Sequence, residues 1–347
     1  MHRDKMNKVK VAIVGASGYT GEELVRLLLS HPAVELTCVT SRQQAGQPLG
    51  KAFPKFASRS QLVFTEPKVD DIARQAQVAF LALPHGVAAE FAAPLLEKGL
   101  RVIDLSADFR LRSAEVYKDY YAHEHPAPAL LKEAVYGSPE LRRDAIRKAR
   151  LVASPGCYPT SILLASAPAL KNKVVKTTGI VANSLSSPSG AGRKAEPEYL
   201  FIECNESVRA YGLPKHRHLS EIEQELGLMA GTPVAISFTP TLVPINRGIH
   251  TTVYFDLAGP LAQADAQKLY EDFYRNEPFV RVMEPGRLPD TKNIAGTNFL
   301  DVAVRIDPRT HRLIALSTVD NIVKGAGGQA VQSLNLMFGL EETTGLL

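Results

Sequence analysis

Lys10-Val-Ala-Ile-Val-Gly15-Ala-Ser-Gly18-Tyr-Thr-Gly21-Glu-Glu-Leu-Val-Arg-Leu-Leu-Leu29 decides the fold. Residues 10–14 form a short apolar run of the kind that makes a strand buried on both faces, and 22–29 repeat apolar residues at helical spacing. Between them stand glycines at the first, fourth and seventh places of a tight turn. Strand, glycine turn and helix together open a doubly wound sheet. The pattern continues outward, with strands predicted over 34–39, 78–83 and 101–104 and helices over 70–75 and 88–98. Such alternation implies a parallel sheet with right-handed crossovers. Past about residue 150 the rhythm changes to longer strands over 176–184, 234–242 and 249–257, with a charged helix over 219–226. That reads as an α+β region with a largely antiparallel sheet. A last apolar-periodic helix, 326–338, begins inside a glycine-rich turn.

The chain has 347 residues, with 40 Lys and Arg against 36 Asp and Glu, hence a formal charge of +4. So small an excess excludes a binder held to nucleic acid or membrane by charge. With 45% hydrophobic and 22% charged residues, the composition excludes disorder as a global description. The apolar stretch 162–170 is well short of the roughly 18 residues that a membrane span requires. Three cysteines, Cys38, Cys157 and Cys204, cannot all pair within one chain, and no basic, apolar leader precedes the first strand. The expectation is a reducing cytoplasm. The expected architecture is an α/β Rossmann-type domain over 1–150, completed by a C-terminal helix within 320–347, and an α+β domain over 151–319.

Gly15, Ser17, Gly18, Tyr19, Thr20 and Gly21 offer backbone amides and a helix N-terminus to a phosphate. The GxxGxxG spacing is a variant of the dinucleotide fingerprint, and its place between strand and helix is what that fingerprint needs; glycine turns also serve plain helix packing. A site for NAD normally carries Asp or Glu at the end of the second strand. Here Thr40, Ser41 and Arg42 follow, and a hydroxyl with a guanidinium suits a 2′-phosphate, so NADP(H) is favoured over NAD. The alternative for Arg42 is a solvated loop residue.

Ser154-Pro-Gly-Cys157-Tyr-Pro-Thr precedes an apolar helical run, which sets Cys157 at a helix start, where amides and the dipole favour a thiolate. Cys38 lies in an apolar strand, a packing position; burial is also the commoner fate of an isolated cysteine such as Cys157. Lys215-His216-Arg217-His218 stands just ahead of Glu221 and Glu223, and either histidine could move protons for a nucleophile. Two apart in an extended segment, they would point to the same side. Zinc lacks a third ligand signature, and no metal is expected. Ser184 to Lys194, with Ser189, Gly190 and Arg193, is a small-residue loop ending in cations that suits an anion, or else a flexible connector. Asp320-Asn321-Ile-Val-Lys324-Gly325 places an amide and a cation before the last helix, where Asn321 could bond a nicotinamide amide or simply cap the helix.

Taken in order, GASGYTG, the Thr40-Ser41-Arg42 turn, LPHG at 83–86, DLSADFR at 104–110, PGCYPT, SGAGR, CNE at 204–206, HRH with EIEQ, and DNIVKGAGGQAVQ resemble the N-acetyl-γ-glutamyl-phosphate reductase family, within the aspartate-semialdehyde dehydrogenase-like proteins. The resemblance spans essentially the whole chain. It implies NADPH-dependent reduction of a small acyl phosphate to a semialdehyde plus inorganic phosphate in arginine biosynthesis, through a thioester on Cys157. It implies His216 or His218 as the acid–base group, without choosing between them. Ser189, Gly190, Arg193 and Glu221 are implied on the substrate, and Asn321, Lys324 and Gly325 on the cofactor. It further implies that residues 151–319 serve catalysis, substrate binding and homo-oligomerisation. Leu219-Ser220 depart from the family's usual residue-then-Pro before Glu221. Three other readings remain: an aspartate-semialdehyde dehydrogenase, a reductase of carrier-protein-linked acyl phosphates, and a non-catalytic NADP(H) sensor.

Overall fold

The computed structural model describes residues 8–193 and 196–347. It divides into two compact units, one running to Pro155 and resuming over Ala326–Leu347, the other Gly156–Gly325. The boundary therefore lies a few residues beyond 150, and the return to the first unit begins at 326 rather than 320.

In the first unit β1 (Val9–Val14), β2 (Val34–Thr40), β3 (Val78–Leu81), β4 (Arg101–Asp104), β5 (Val135–Tyr136) and β6 (Leu151–Ala153) form one sheet in the order β2-β1-β3-β4-β6-β5. Every neighbouring pair is parallel. Val11 to Val14 and all of β3 are wholly buried, as apolar strands covered on both faces must be. The order reverses beside β1, between β2 and β3, which places the turn after β1 at the sheet's switch point. Beyond β4, Asp104 accepts from the Ser106 amide and hydroxyl, and Asp108 accepts from Gly86 and Ala89 amides and the Tyr117 hydroxyl. Burial, with the neighbouring Asp108 charge, pushes the Asp104 carboxyl up to about 7.

The second unit carries β7 (Ile180–Ser186), β8 (Arg209–Ala210), β9 (Ile236–Leu242), β10 (Ile249–Asp256), β11 (Val280–Val282), β12 (Leu300–Asp307) and β13 (Arg312–Val319). Their order is β11-β12-β13-β10-β7-β9-β8. The β11/β12 and β7/β9 pairs are parallel and the rest antiparallel. Burial alternates along β10, so Ile249, Thr251, Val253 and Phe255 form a buried face while His250, Thr252 and Tyr254 stay half-exposed.

The helix Cys157–Lys171 is buried from Tyr158 to Leu170 and packs on β10 and β13. Its buried Ser161 is tied to the sheet: Ser161 and Thr251 share a hydroxyl bond of 2.7 Å, Ser184 joins Thr251 at 2.8 Å, and Ser317 donates to the Ser161 carbonyl. Pro168 lacks the amide that would bond the Leu164 carbonyl, and the Tyr274 hydroxyl donates to that carbonyl instead. These bonds fix the helix, and with it the residue at its first position.

Candidate active site

In the first unit the glycine turn is set by backbone demands. Gly15 has φ +89°, and a Cβ there would lie 2.4 Å from the Ala82 carbonyl oxygen, so no side chain is admitted. Gly15 and Ala16 both donate to the Thr40 carbonyl, locking the turn onto β2. Gly18 differs: a Cβ there meets nothing within 4 Å among the described residues. Gly18 precedes the helix Tyr19–Ser30, which no side chain caps. An open glycine at an uncapped helix start is the cradle that a phosphate needs. Ser17 and Ser41, drawn from two separate motifs, meet at 2.9 Å, and Arg42 beside them is exposed. These residues fit a dinucleotide.

In the second unit Cys157 is the first residue of its helix, behind an extended Gly156, with no side-chain cap. It is partly exposed, whereas Cys38 is buried and its thiol is pushed up by burial. Gly325 packs directly on Cys157: a Cβ on Gly325 would stand 2.9 Å from the Cys157 Cβ and 3.2 Å from its Cα. Asp320 builds the turn that brings Gly325 there. Its carbonyl accepts from the Gly325 amide, its Oδ1 from Ile322 and Val323, and its Oδ2 from Gly296 and Arg247. The turn widens into a π-helical segment over Val323–Gly327 before the helix Gly328–Met337, so the last α-helix starts later than the sequence pattern predicts.

His216 and His218 do not lie in an extended segment. His216 caps the helix Arg217–Ala230, its Nδ1 accepting from the His218 amide at 3.1 Å, and the two rings stand 5.0 Å apart. They still converge, because the helix start turns both rings edge-on to Tyr158, the residue after the cysteine. Tyr211 donates to the Tyr158 hydroxyl at 2.9 Å, and burial holds both phenols well above their ordinary range. Burial, with Arg217 adding to it, pushes His216 down to about 4. Glu221 is 1% exposed and its Oε1 accepts the Gly156 amide at 2.9 Å.

Other predicted residues receive inward partners. Asn321 accepts from the Gly248 amide and the Ser187 hydroxyl and donates to Ser189, with Gly190 packed near its amide, so it ties the 187–190 loop to the 320–325 turn. Lys324 is fully buried with its ammonium 5.6 Å from the Phe279 ring centroid. Arg193 is exposed, and Lys194 lies outside the described residues. Asp320, Arg247, Tyr158 and Tyr211 escaped sequence reasoning; the one available signal was Asp320 at the head of a glycine-rich turn. Among the described residues no group of three or more His, Cys, Asp or Glu is placed to hold a metal ion.

Sequence comparison matches residues 10–149 to the semialdehyde dehydrogenase NAD binding domain and residues 157–321 to the semialdehyde dehydrogenase dimerisation domain. An N-acetyl-gamma-glutamyl-phosphate reductase of Akkermansia muciniphila is 55% identical over 98% of this chain and 99% of its own. One of Geobacter sp. strain M21 is 52% identical over 97% and 98%. Among solved structures, aspartate semialdehyde dehydrogenase II from Vibrio cholerae superposes with a TM-score of 0.73 at 20% identity, covering 96% of this chain and 99% of that one. The Candida albicans aspartate semialdehyde dehydrogenase with NADP gives 0.70 at 16% identity, covering 95% and 98%. At such identities the likeness is one of fold.

Proposed function

The chain belongs to the N-acetyl-gamma-glutamyl-phosphate reductase family, and from that premise we propose that it reduces N-acetyl-L-glutamyl 5-phosphate to the 5-semialdehyde and inorganic phosphate, a step of arginine biosynthesis, with Cys157 as nucleophile. The observation that carries the reading is Cys157 at an uncapped helix start, backed by Gly325 and followed by Tyr158, on whose ring two histidines pack.

Helix-start amides favour the thiolate. Its sulfur attacks the acyl carbon, the C–S bond forms, and the carbon–oxygen bond to phosphate breaks with its electron pair leaving on phosphate. The thioester left on Cys157 is the acceptor for the hydride that NADPH supplies when bound. A proton is then lent to the hemithioacetal oxygen and withdrawn as the C–S bond breaks, freeing the aldehyde and the thiolate. His216, depressed to about 4 and with Nδ1 engaged by the His218 amide, is a poor proton donor near neutrality. On this reading the proton falls to His218 and the capping role to His216. Arg193 and the 187–190 loop supply the cation and donors for an anionic substrate.

For the cofactor, the NAD(P)-binding residues are Gly15, Ser17, Gly18, Tyr19, Thr20, Gly21, Ser41 and Arg42, and the Ser41–Arg42 pair supports NADP. Among the described residues no helix is long and apolar enough to cross a membrane. A cytoplasmic homo-oligomer is supported by three cysteines, none of them in a disulfide, and by Phe201 and Ile202, adjacent in sequence and 79% and 75% exposed within the stretch matched to the dimerisation domain. A monomeric sedimentation coefficient, or recovery from a membrane fraction, would refute it.

The test is the reverse reaction: N-acetylglutamate semialdehyde, phosphate and NADP, followed at the NADPH absorbance. NADPH is expected only when phosphate or arsenate is present. Cys157→Ser is expected below about one ten-thousandth of wild-type turnover, with NADPH binding retained, and His218→Asn is expected to lose far more turnover than His216→Asn. Full turnover in Cys157→Ser would sink the mechanism.

A further inference from the structure

Two helices of the second unit begin with reactive side chains. One opens on Cys157, and the other is capped by His216 and carries His218. They pack against each other, and the hydrogen bond from the Gly156 amide to Glu221 Oε1 joins them at 2.9 Å. Gly156 is the residue before the nucleophile, and Glu221 stands one turn beyond His218. We infer that Glu221 is a positioning residue: its carboxylate ties the Cys157 turn to the histidine helix and does not bind substrate.

Three observations point this way. Glu221 is 1% exposed and its Oε1 is engaged by the Gly156 amide, so a substrate taking that oxygen would first have to displace the amide, and a buried group that loses its hydrogen-bond partner carries the full cost of desolvation. Gly156 also serves the helix through its carbonyl, which accepts from the Thr160 amide and hydroxyl, so with its amide held the two peptide groups on either side of the Gly156 Cα are both fixed. Finally, on the reading given above the substrate is an anion, bearing phosphate and a carboxylate beside a neutral acetamide. A buried carboxylate repels the phosphate and the carboxylate of such a molecule, which leaves it only the acetamide N–H to accept from. Glu223, two residues on, shows the same device used elsewhere: it accepts the Ile236 amide at 3.0 Å and holds the same helix to the start of β9.

The experiment compares Glu221→Ala, Glu221→Gln and Glu223→Ala in the full-length protein. A glutamine oxygen still accepts the Gly156 amide, so Glu221→Gln is expected within about 5-fold of wild-type kcat, at unchanged KM for the semialdehyde. Glu221→Ala frees the turn, and a displacement of about 1 Å at a reacting atom costs roughly 100-fold; kcat is expected to fall by that order while KM moves less than about 2-fold. Glu223→Ala is expected to lose thermal stability and keep kcat. Iodoacetamide labelling of Cys157, read by mass spectrometry without substrate, is expected to change at least about 5-fold in rate in Glu221→Ala and to stay at the wild-type rate in Glu221→Gln. A rise in KM with kcat preserved in Glu221→Gln, or unaltered labelling in a folded Glu221→Ala protein, would overturn the inference. Should Glu221→Ala not fold, the kcat and KM of Glu221→Gln decide alone. A wild-type protein inert toward the semialdehyde would overturn the functional reading instead, and the labelling arm would still test Glu221.

Discussion

The glycine turn after β1 and the cysteine turn after β6 each pass from a parallel strand into a helix, yet they are closed by different means. The first is closed by main-chain groups: Gly15 at φ +89°, and the bonds that Gly15 and Ala16 give to the Thr40 carbonyl of β2. The second is completed by residues distant in sequence, with Glu221 on Gly156 and Gly325 against Cys157. A phosphate cradle needs only amides, which every residue carries. A nucleophile has to be aimed, and aiming calls on side chains from other elements.

One substitution type breaks or sharpens this contrast. Gly325→Ala forces a methyl to 2.9 Å from the Cys157 Cβ, and either the cysteine or the Asp320 turn must shift. The expected outcome is roughly 100-fold lower kcat with NADPH affinity, followed by fluorescence titration, within about 2-fold of wild type. Gly18→Ala meets no neighbour, so its melting temperature is expected to stay put while KM for NADPH rises about 10-fold or more, because a ligand is the one thing the methyl would touch. If Gly325→Ala instead spared turnover and lost NADPH, the 320–325 turn would belong to the cofactor, and the contrast between the two turns would fail.

The same contrast explains what could be read from sequence. Strands β1 to β4 and the helices between them lie within a few residues of their predicted bounds because apolar runs and helical periodicity are local signals. β5 and β11, at two and three residues, are too short to carry a period. The bounds 176–184 miss the start of β7 at Ile180 because Gly179, at φ +72°, breaks the extended run. Cys157 was legible from its turn, and the HRH segment from its composition. The histidines' geometry was not, since an extended segment and a helix start give the same residue string until Leu219, Ile222 and Leu226 find a core to bury in. Polar residues in a motif carry no label for what they bond: the sequence offers Asn321 to a nicotinamide or to a helix cap, and the resemblance offers Glu221 to the substrate. Structure gives them Gly248, Ser187 and Ser189 in one case and Gly156 in the other.

A smaller effect sharpens the first side of the comparison. Arg42 is exposed and stands beside the Ser17–Ser41 pair, so its loss leaves the turn intact. Arg42→Ala is expected to reduce the NADPH over NADH preference in kcat/KM by about 30-fold, the roughly 2 kcal/mol of a charge-assisted bond to a phosphate. An unchanged ratio would return Arg42 to the solvent and leave Ser41 and the turn amides to explain any preference.

A last contrast, in stability rather than activity, separates the two units by pH. The Asp104 carboxyl in the first unit is pushed up to about 7 from its ordinary 3.8, so between about pH 4 and 7 the folded chain keeps a proton that the unfolded chain releases, and this group's contribution to stability falls as pH rises. His216 in the second unit is depressed to about 4 from 6.5. There the unfolded chain takes up the proton first, so the contribution is complete above about 6.5 and is lost as pH falls toward 4. The two slopes oppose each other across the same window, one belonging to each unit. Asp104→Asn removes the first slope alone while keeping an oxygen for the Ser106 amide. Its stability relative to wild type, measured by urea denaturation, is expected to increase by about 3 kcal/mol between pH 5 and pH 8, from ~1.4 kcal/mol per pH unit over the two units that end near 7. A difference that stays flat with pH would mean that Asp104 is ionised in the folded protein throughout, with Arg110 and the Ser106 donors outweighing burial and the Asp108 charge.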